Sequence, residues 1–325
     1  MRLRLVPEKT SIPFMKYGRT TTIGSGAVCL LSLVLLVVLG LNFGIDFRGG
    51  TMIMAATEAP VPVGEYRDRL GALDIGDVSV TEISDPAADL TGAAKNTVMI
   101  RIEQQGDDPA IQNDTIVAVK DALSAAIPGV TFLSTESVGG KVSGELVQAG
   151  ILAVVLAVGA VLFYIWLRFE WQFAVGAVAA LVHDVTLTMG IFAVTQIEFN
   201  LSIIAAILTI VGYSLNDTVV VFDRVRENLR RYKKTELREV LDLSINETLS
   251  RTLMTSVTTL LALISLYVLG GEVIRGFTFA MIFGVIVGTY SSIFVATVIL
   301  LRLDVKRDWS KKDGAAGTQF ANIDA

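Results

Sequence analysis

The stretch TTTIGSGAVCLLSLVLLVVLGLNFGI, residues 20–45, has no charged side chain at any of its 26 positions. At about 1.5 Å per residue, a helix of that length exceeds the roughly 30 Å of a bilayer's hydrocarbon core. Arg2, Arg4, Lys9, Lys16 and Arg19 precede it, the flank expected of a span whose N-terminal end stays in the cytoplasm. A cleaved leader would have an apolar region of about 7 to 15 residues and a small-residue cleavage site. Asn42-Phe43-Gly44-Ile45 offers no such site, so the run predicts a retained anchor.

The rest of the chain extends the pattern. Of its 325 residues, 52% are hydrophobic and 18% charged, and the mean hydropathy is +0.60, too apolar for a domain with a fully polar surface. Five further runs, 146–167, 171–195, 199–222, 251–269 and 277–301, are each long enough to cross an apolar layer as a helix. Arg168-Phe169-Glu170 and the basic-leaning segment 223–250 alternate with a short acidic turn at Glu198 and a nearly uncharged turn at 270–276. By the bias of Lys and Arg toward cytoplasmic connections, both termini are expected in the cytoplasm. Within that basic segment, 224–245 is charged but periodic and predicts a surface amphipathic helix. Residues 1–19 read as a cytoplasmic N-terminal tail. Residues 302–325, with Gly314-Ala-Ala-Gly317, read as a largely disordered cytoplasmic tail.

Between the first and second spans, residues 46–145 hold 7 Lys/Arg against 16 Asp/Glu, an acidity suited to the far side of the membrane. The pattern runs as strand 52–57, helix 62–73, strand 78–83, a stop at Asp85-Pro86, strand 97–103, helix 109–127 and strand 130–138, from alternation and helical spacing in turn. That β-α-β-β-α-β order is the ferredoxin-like arrangement. The predicted fold is a polytopic α-helical membrane protein of six spans with an external α+β domain.

Chemistry is sparse. The single cysteine, Cys29, and single histidine, His183, allow neither an internal disulfide nor a thiolate or multi-histidine metal site built by this chain alone. Gly139-Gly-Lys-Val-Ser143 lacks the hydroxyl residue after Lys141 and the leading glycine of a phosphate loop, so no ATP site is supported, and no enzyme motif is found. No nucleic-acid-binding pattern is present either.

Ionisable residues inside spans are more informative, because an Asp at mid-helix costs about 2.5 to 3.5 kcal/mol to insert. Asp217 lies in the polar notch Gly212-Tyr-Ser-Leu-Asn-Asp-Thr218 of the fourth span, beside Asn216 and Thr218. Desolvation favours its neutral form and a nearby cation its charged form, a combination that lets a carboxyl load and release a proton. Arg251, opening the fifth span in the same leaflet, is the available cation. Around it Thr248, Thr252, Thr255 and Thr259 recur at helical spacing, a hydroxyl face that can line a wet path or bond a neighbouring helix. A plain interhelical ion pair remains an alternative reading. His183-Asp184, mid-way through the third span, is either a proton relay or a structural polar pair, and adjacent residues on a helix point about 100° apart. Glu198 and Glu272 fall at outer turns, where a solvated carboxylate is unremarkable. Ala280, Gly284, Gly288, Ser292 and Ala296 form a small-residue stripe for close helix packing.

Taken together, Gly44-Ile-Asp-Phe-Arg-Gly-Gly50, His183-Asp184, Val211-Gly-Tyr-Ser-Leu-Asn-Asp-Thr218, Phe222-Asp-Arg-Val-Arg-Glu-Asn228 and Asn246-Glu-Thr-Leu-Ser-Arg-Thr252 resemble the SecD/SecF family of bacterial protein-export subunits, in the resistance-nodulation-division superfamily. The fourth-span motif and the short length favour its SecF branch. The resemblance covers nearly the whole chain. It implies an inner-membrane subunit that pairs with SecD, associates with the SecYEG channel, YajC and the motor SecA, and uses the proton motive force to promote late steps of preprotein export. No cofactor is implied beyond protons as the coupling ion, and the partners are other subunits, preproteins and membrane lipid. Asp217 and Arg251 match the family's proton-pathway residues, and Gly44, Gly49 and Gly50 are expected to form a hinge. A proton-coupled exporter of lipids or small molecules, and a structural scaffold of the channel complex, are the competing readings.

Overall fold

The computed structural model describes residues 10–73, 75–83, 96–104, 106 and 109–305. The flanking residues Arg2, Arg4 and Lys9, the stop at Asp85-Pro86 and the tail 306–325 lie outside the described residues. Six described helices are long and apolar enough to cross a membrane, and the chain is a multi-pass helical membrane protein. They are α1 (Gly18–Leu39), α5 (Gly140–Arg168), α6 (Trp171–Thr195), α7 (Leu201–Arg231), α8 (Leu237–Leu269) and α9 (Glu272–Ser291), the last continuing through a π-helical turn at Ser292–Ala296 into α10 (Thr297–Arg302).

The first crossing stops earlier than its uncharged run. Gly40 takes φ +67° and ends α1 at Leu39, after which Asn42 Nδ2 donates to the Gln196 carbonyl at 2.9 Å and Phe43 pairs with Phe199 in an isolated parallel bridge. Main-chain bonding there recruits residues 40–45 into the connection rather than the helix. A single turn, α2 (Ile45–Arg48), follows.

The region between the first two spans is a four-stranded antiparallel sheet with two helices. Its elements are β1 (Gly50–Thr57), α3 (Val63–Gly71), β2 (Val78–Ile83), β3 (Asn96–Ile102), α4 (Pro109–Ala126) and β4 (Thr131–Val138), and the strand order is β2-β3-β1-β4. Each element lies within two residues of its sequence pattern. Alternation decides the face: Val98, Ile100 and Ile102 of β3 and Ile53 and Ala55 of β1 pack with Tyr66 and Leu70 of α3 and with Val119 and Leu123 of α4. Ile53 opposes Ile100, and Ala55 opposes Val98, so a slip of one residue would turn these apolar side chains outward.

In the membrane part, α6, α7 and α9 are the most buried spans. A Cβ added at Gly284 of α9 would overlap Ile210 of α7, and one at Gly288 would lie 3.2 Å from Ser214 Cβ; the small-residue stripe therefore sets the α7–α9 approach. Near the opposite end from the sheet, Phe173 and Phe222 meet edge to face with ring centroids 5.2 Å apart.

One surface amphipathic helix over 224–245, within 223–250, is not what forms. The C-terminal turns of α7 and the N-terminal turns of α8 run on past the uncharged runs as a helical hairpin whose turn lies at 232–236. Val225, Leu229, Leu237, Val240, Leu241 and Ile245 are buried together. Asn228 Nδ2 donates to Ser244 Oγ at 3.1 Å and to Glu247 Oε2 at 2.7 Å, and Arg224 Nε meets the same carboxylate at 2.7 Å. The periodicity reflects two helices facing each other, which satisfies the same apolar stripe as a membrane surface would.

Gly284→Leu tests the stripe. Overpacking of this kind costs about 1–3 kcal/mol, so the variant is expected to unfold at lower temperature in detergent, whereas Gly24→Leu, with nothing within 4 Å of its Cβ position, should not shift the transition.

Candidate functional site

Among the described residues, the spans contain two buried carboxylates with opposite surroundings. Asp184 of α6 is 1% exposed. Its Oδ2 accepts from Ser214 Oγ of α7 at 2.5 Å and from Ser291 Oγ of α9 at 2.7 Å, and its Oδ1 lies 2.9 Å from His183 Nδ1. Three helices are thereby joined at one side chain. His183 stacks on Tyr290 of α9 with ring centroids 5.9 Å apart, and the Tyr290 hydroxyl lies 2.9 Å from Ser25 Oγ of α1. His183 Nε2 is buried without a hydrogen-bond partner among the described residues. The two neighbours do diverge along their helix, yet they bond to each other and meet consecutive residues of α9. Small residues make this possible: a Cβ at Gly190 would overlap Ser32 of α1.

Asp217 of α7 is one turn beyond Ser214 and 3% exposed. Its Oδ2 is fully buried and has no hydrogen-bond partner among the described residues. Arg251 of α8 lies near enough to attract it electrostatically, but the Arg251 side chain faces outward from this chain and no ion pair closes between them among the described residues. Thr218 is buried and bonds its own helix, Oγ1 to the Ser214 carbonyl at 3.0 Å. Asn216 is exposed.

The hydroxyl face of α8 is rotated from its expected position. Thr248, Thr252 and Ser256 are buried, whereas Arg251 and Thr255 are exposed, Thr255 bonding the Thr252 carbonyl at 2.9 Å. Ser256 Oγ meets Thr289 Oγ1 of α9 at 2.7 Å and Tyr213 Oη of α7 at 3.5 Å. Thr252 Oγ1 is buried and unpaired among the described residues. Spacing marked a polar helix but not the side it presents, since 248/252/256 and 251/255 are equally good helical stripes.

At the sheet end, Gly44, Gly49 and Gly50 serve close approach. Gly49 and Gly50 take φ +74° and +118°, conformations that favour glycine, and an added Cβ would meet Gln104 and the Ile102 carbonyl, respectively. At Gly44 it would meet the Glu198 carboxylate. Asp46 Oδ2 accepts from the Leu201 N–H at 2.9 Å, so the residue after Gly44-Ile45 caps the helix that carries Asp217. Glu198 is not simply solvated: it forms an ion pair with Arg101 of β3. The Glu272 side chain lies outside the described residues.

These features define a class: a polytopic membrane protein with ionisable side chains held inside its spans and a small sheet domain fastened to one end. Residues 118–306 match the family model described as protein export membrane protein SecD/SecF, C-terminal, and residues 34–61 match the SecD/SecF GG motif. The chain belongs to the SecD/SecF family. A protein translocase subunit SecF of Cereibacter sphaeroides is 55% identical over 324 residues, covering 100% of this chain and 99% of that one. A SecDF protein of Brucella abortus is 44% identical over 94% of this chain, which spans 39% of the relative's length. Among solved structures, a translocon-associated SecDF from Thermus thermophilus superposes with a TM-score of 0.81 at 32% identity, covering 94% of this chain and 40% of that chain. A SecDF in a super-membrane-facing form gives 0.67 at 34% identity, with 93% and 40% covered.

Asp184→Leu removes the shared acceptor of Ser214 and Ser291 and leaves His183 without its partner. Breaking a buried polar cluster of this type costs about 3–5 kcal/mol. The variant should assemble poorly or melt early, while Asp184→Asn, which still accepts hydroxyl bonds, should lose much less; thermal unfolding of the purified chain measures both.

Proposed function

We propose that this chain works as a protein translocase subunit that uses the proton motive force to promote late steps of preprotein export across a bacterial inner membrane. The observation that carries the reading is Asp217: a carboxylate inside a packed span, toward its C-terminal end, with a fully buried oxygen that no described group satisfies. Burial without a partner is costly unless the group has a use, and Arg251 supplies a cation whose approach favours the charged form. A potential of 100 mV is worth about 2.3 kcal/mol per charge moved, enough to bias a two-state helix arrangement when Asp217 takes a proton from one side and gives it to the other.

The partner follows from what one chain leaves uncovered. Asn216, Arg251 and Thr255 are exposed polar side chains on spans α7 and α8, and polar groups in an apolar layer ordinarily face protein or water. A SecD subunit covering that face would enclose Asp217 and Arg251 together. The fused SecDF relatives support this pairing, and association with SecYEG, YajC and the SecA-driven translocase belongs to the same proposal. In the proposed topology both termini are cytoplasmic and residues 46–145 are periplasmic, with the helical hairpin at 232–236 in the cytoplasm. Helices α3 and α4 against the β2-β3-β1-β4 order support a ferredoxin-like assignment for the external domain. Gly49 and Gly50 are its pivot.

Asp217→Asn preserves shape and removes the titrating charge. Co-expressed with a SecD partner in inverted membranes, it should abolish proton-gradient-dependent stimulation of preprotein export while complex yield stays normal. Undiminished stimulation in an intact complex would return Asp217 to a structural role and favour the scaffold reading.

A further inference from the structure

The segment before the first span is pinned to α8. Asn246 grips its main chain at Ile12, accepting from the amide and donating to the carbonyl at 2.9 Å each. Asp242 Oδ1 accepts from the Met15 N–H at 2.8 Å, and Arg238 Nη2 donates to the Met15 carbonyl at 2.8 Å. Phe14 and Met15 are buried in the same cluster as Leu237, Val298 and Val305, and a 3-10 turn at Phe14–Tyr17 leads into α1. Lys16 and Arg19 are thereby held beside the start of α8 and the end of α10.

Between these elements lies an open cavity of about 960 Å³. Lys16, Arg19 of α1, Arg238 of α8 and Arg302 of α10 line it, against Glu236 and Asp304. Four cations face two carboxylates, a surplus of two positive charges. Lys16, Arg19 and Arg302 are exposed and form no ion pair among the described residues. The bias of basic residues toward one side of a membrane explains their presence at this end of the spans. It does not explain why three separate segments converge their cations on one cavity, where mutual repulsion is relieved by an anion.

The position of the cavity selects the anion. Arg19 immediately precedes the uncharged run 20–45, and Arg302 immediately follows the run 277–301, so both guanidinium groups lie at headgroup level, at the end of the spans opposite the sheet domain. The walls also include apolar side chains, Leu301 and Val298 among them. Ile23, one turn beyond Arg19 on the same face of α1, is 62% exposed, and it continues the apolar surface toward the bilayer. The volume is near the upper end of the roughly 300–1,000 Å³ of ligand pockets. A free phosphate would fill little of it, whereas two phosphates joined through glycerol match both its size and its charge surplus.

We propose that this cavity binds the headgroup of a two-phosphate anionic phospholipid, a diphosphatidylglycerol, in the leaflet opposite the sheet domain, which is the cytoplasmic one in the topology proposed above. The phosphates meet Lys16, Arg19, Arg238 and Arg302, the glycerol rests on Leu301, and the acyl chains follow α1 past Ile23. Bound there, the lipid ties the start of α1 to the start of α8 and the end of α10.

The test uses the complex with its SecD partner, stripped of lipid in detergent and titrated with diphosphatidylglycerol, phosphatidylethanolamine or inorganic phosphate. Native mass spectrometry and the thermal transition read the outcome. Diphosphatidylglycerol should stay bound and raise the transition; the other two should do neither. Arg19→Gln with Arg302→Gln should weaken retention about thirtyfold. Arg168→Gln with Arg231→Gln, which removes two cations that line a separate recess, should leave it unchanged. Loss alone also follows from damage, so Glu236→Gln with Asp304→Asn supplies the opposite sign: without the two carboxylates, retention should tighten. Equal loss in both arginine pairs would reduce the effect to general surface charge, and equal stabilisation by inorganic phosphate would make this a site for the free ion; either result overturns the proposal. So does failure of the wild type to retain the lipid, including the case in which removing 306–325 restores retention, which would make the chain's own C-terminal segment the occupant. Asp217→Asn should retain the lipid as the wild type does, so the site and the proton-coupled export reading fail separately.

Discussion

A carboxylate in an apolar layer must be satisfied by neighbours, kept neutral, or used, and the arrangement of this chain's spans is the outcome of that constraint at two positions. Asp184 is satisfied. Hydroxyls of Ser214 and Ser291 and the ring of His183 fill its bonding positions, which ties α6, α7 and α9 into one unit. Asp217, one turn from Ser214 on the same helix, has a buried oxygen with no such partner. The completed cluster ties three helices together, whereas Asp217 keeps a buried oxygen without a partner among the described residues. His183-Asp184 has the geometry of a polar pair whose carboxylate makes three bonds inside the bundle.

The frame has to be tight for the constraint to act. Gly284 against Ile210, Gly288 against Ser214 and Gly190 against Ser32 bring backbones close enough for short hydroxyl side chains to reach across, where a longer residue would separate the helices. The same economy of space appears at the other end, where Gly44 admits Glu198. The hairpin of α7 and α8 beyond the membrane adds a second rigid point through Asn228, Ser244 and Glu247. Between these points α7 is one uninterrupted helix from Leu201 to Arg231, well placed to carry displacement along its axis.

Much of this was readable from sequence. The six spans follow from uninterrupted apolar runs, the strand and helix order of 46–145 from a change of period, and Asp217 from the cost of a charge in such a run. What escaped has a common cause. Ser214, Ser291 and Tyr290 look like ordinary span residues until three helices are assembled, and Arg101 and Glu198 meet only because the sheet domain returns to the α6–α7 turn. Helical spacing marks α8 as polar but leaves its rotation open: of the expected hydroxyl face, Thr248 and Thr252 are buried together with Ser256, while Thr255 is exposed. The amphipathic stripe over 224–245 fits two mutually facing helices as well as one lying on a membrane, and only the turn at 232–236 separates these.

On the proposed function, Asp217 carries protons through the membrane part. The most direct measurement is proton entry into liposomes containing the chain with its SecD partner, under an imposed membrane potential and followed with an internal pH dye. Protons should enter with the wild type and not with Asp217→Asn at equal protein incorporation. Equal proton entry for the two proteins would contradict it.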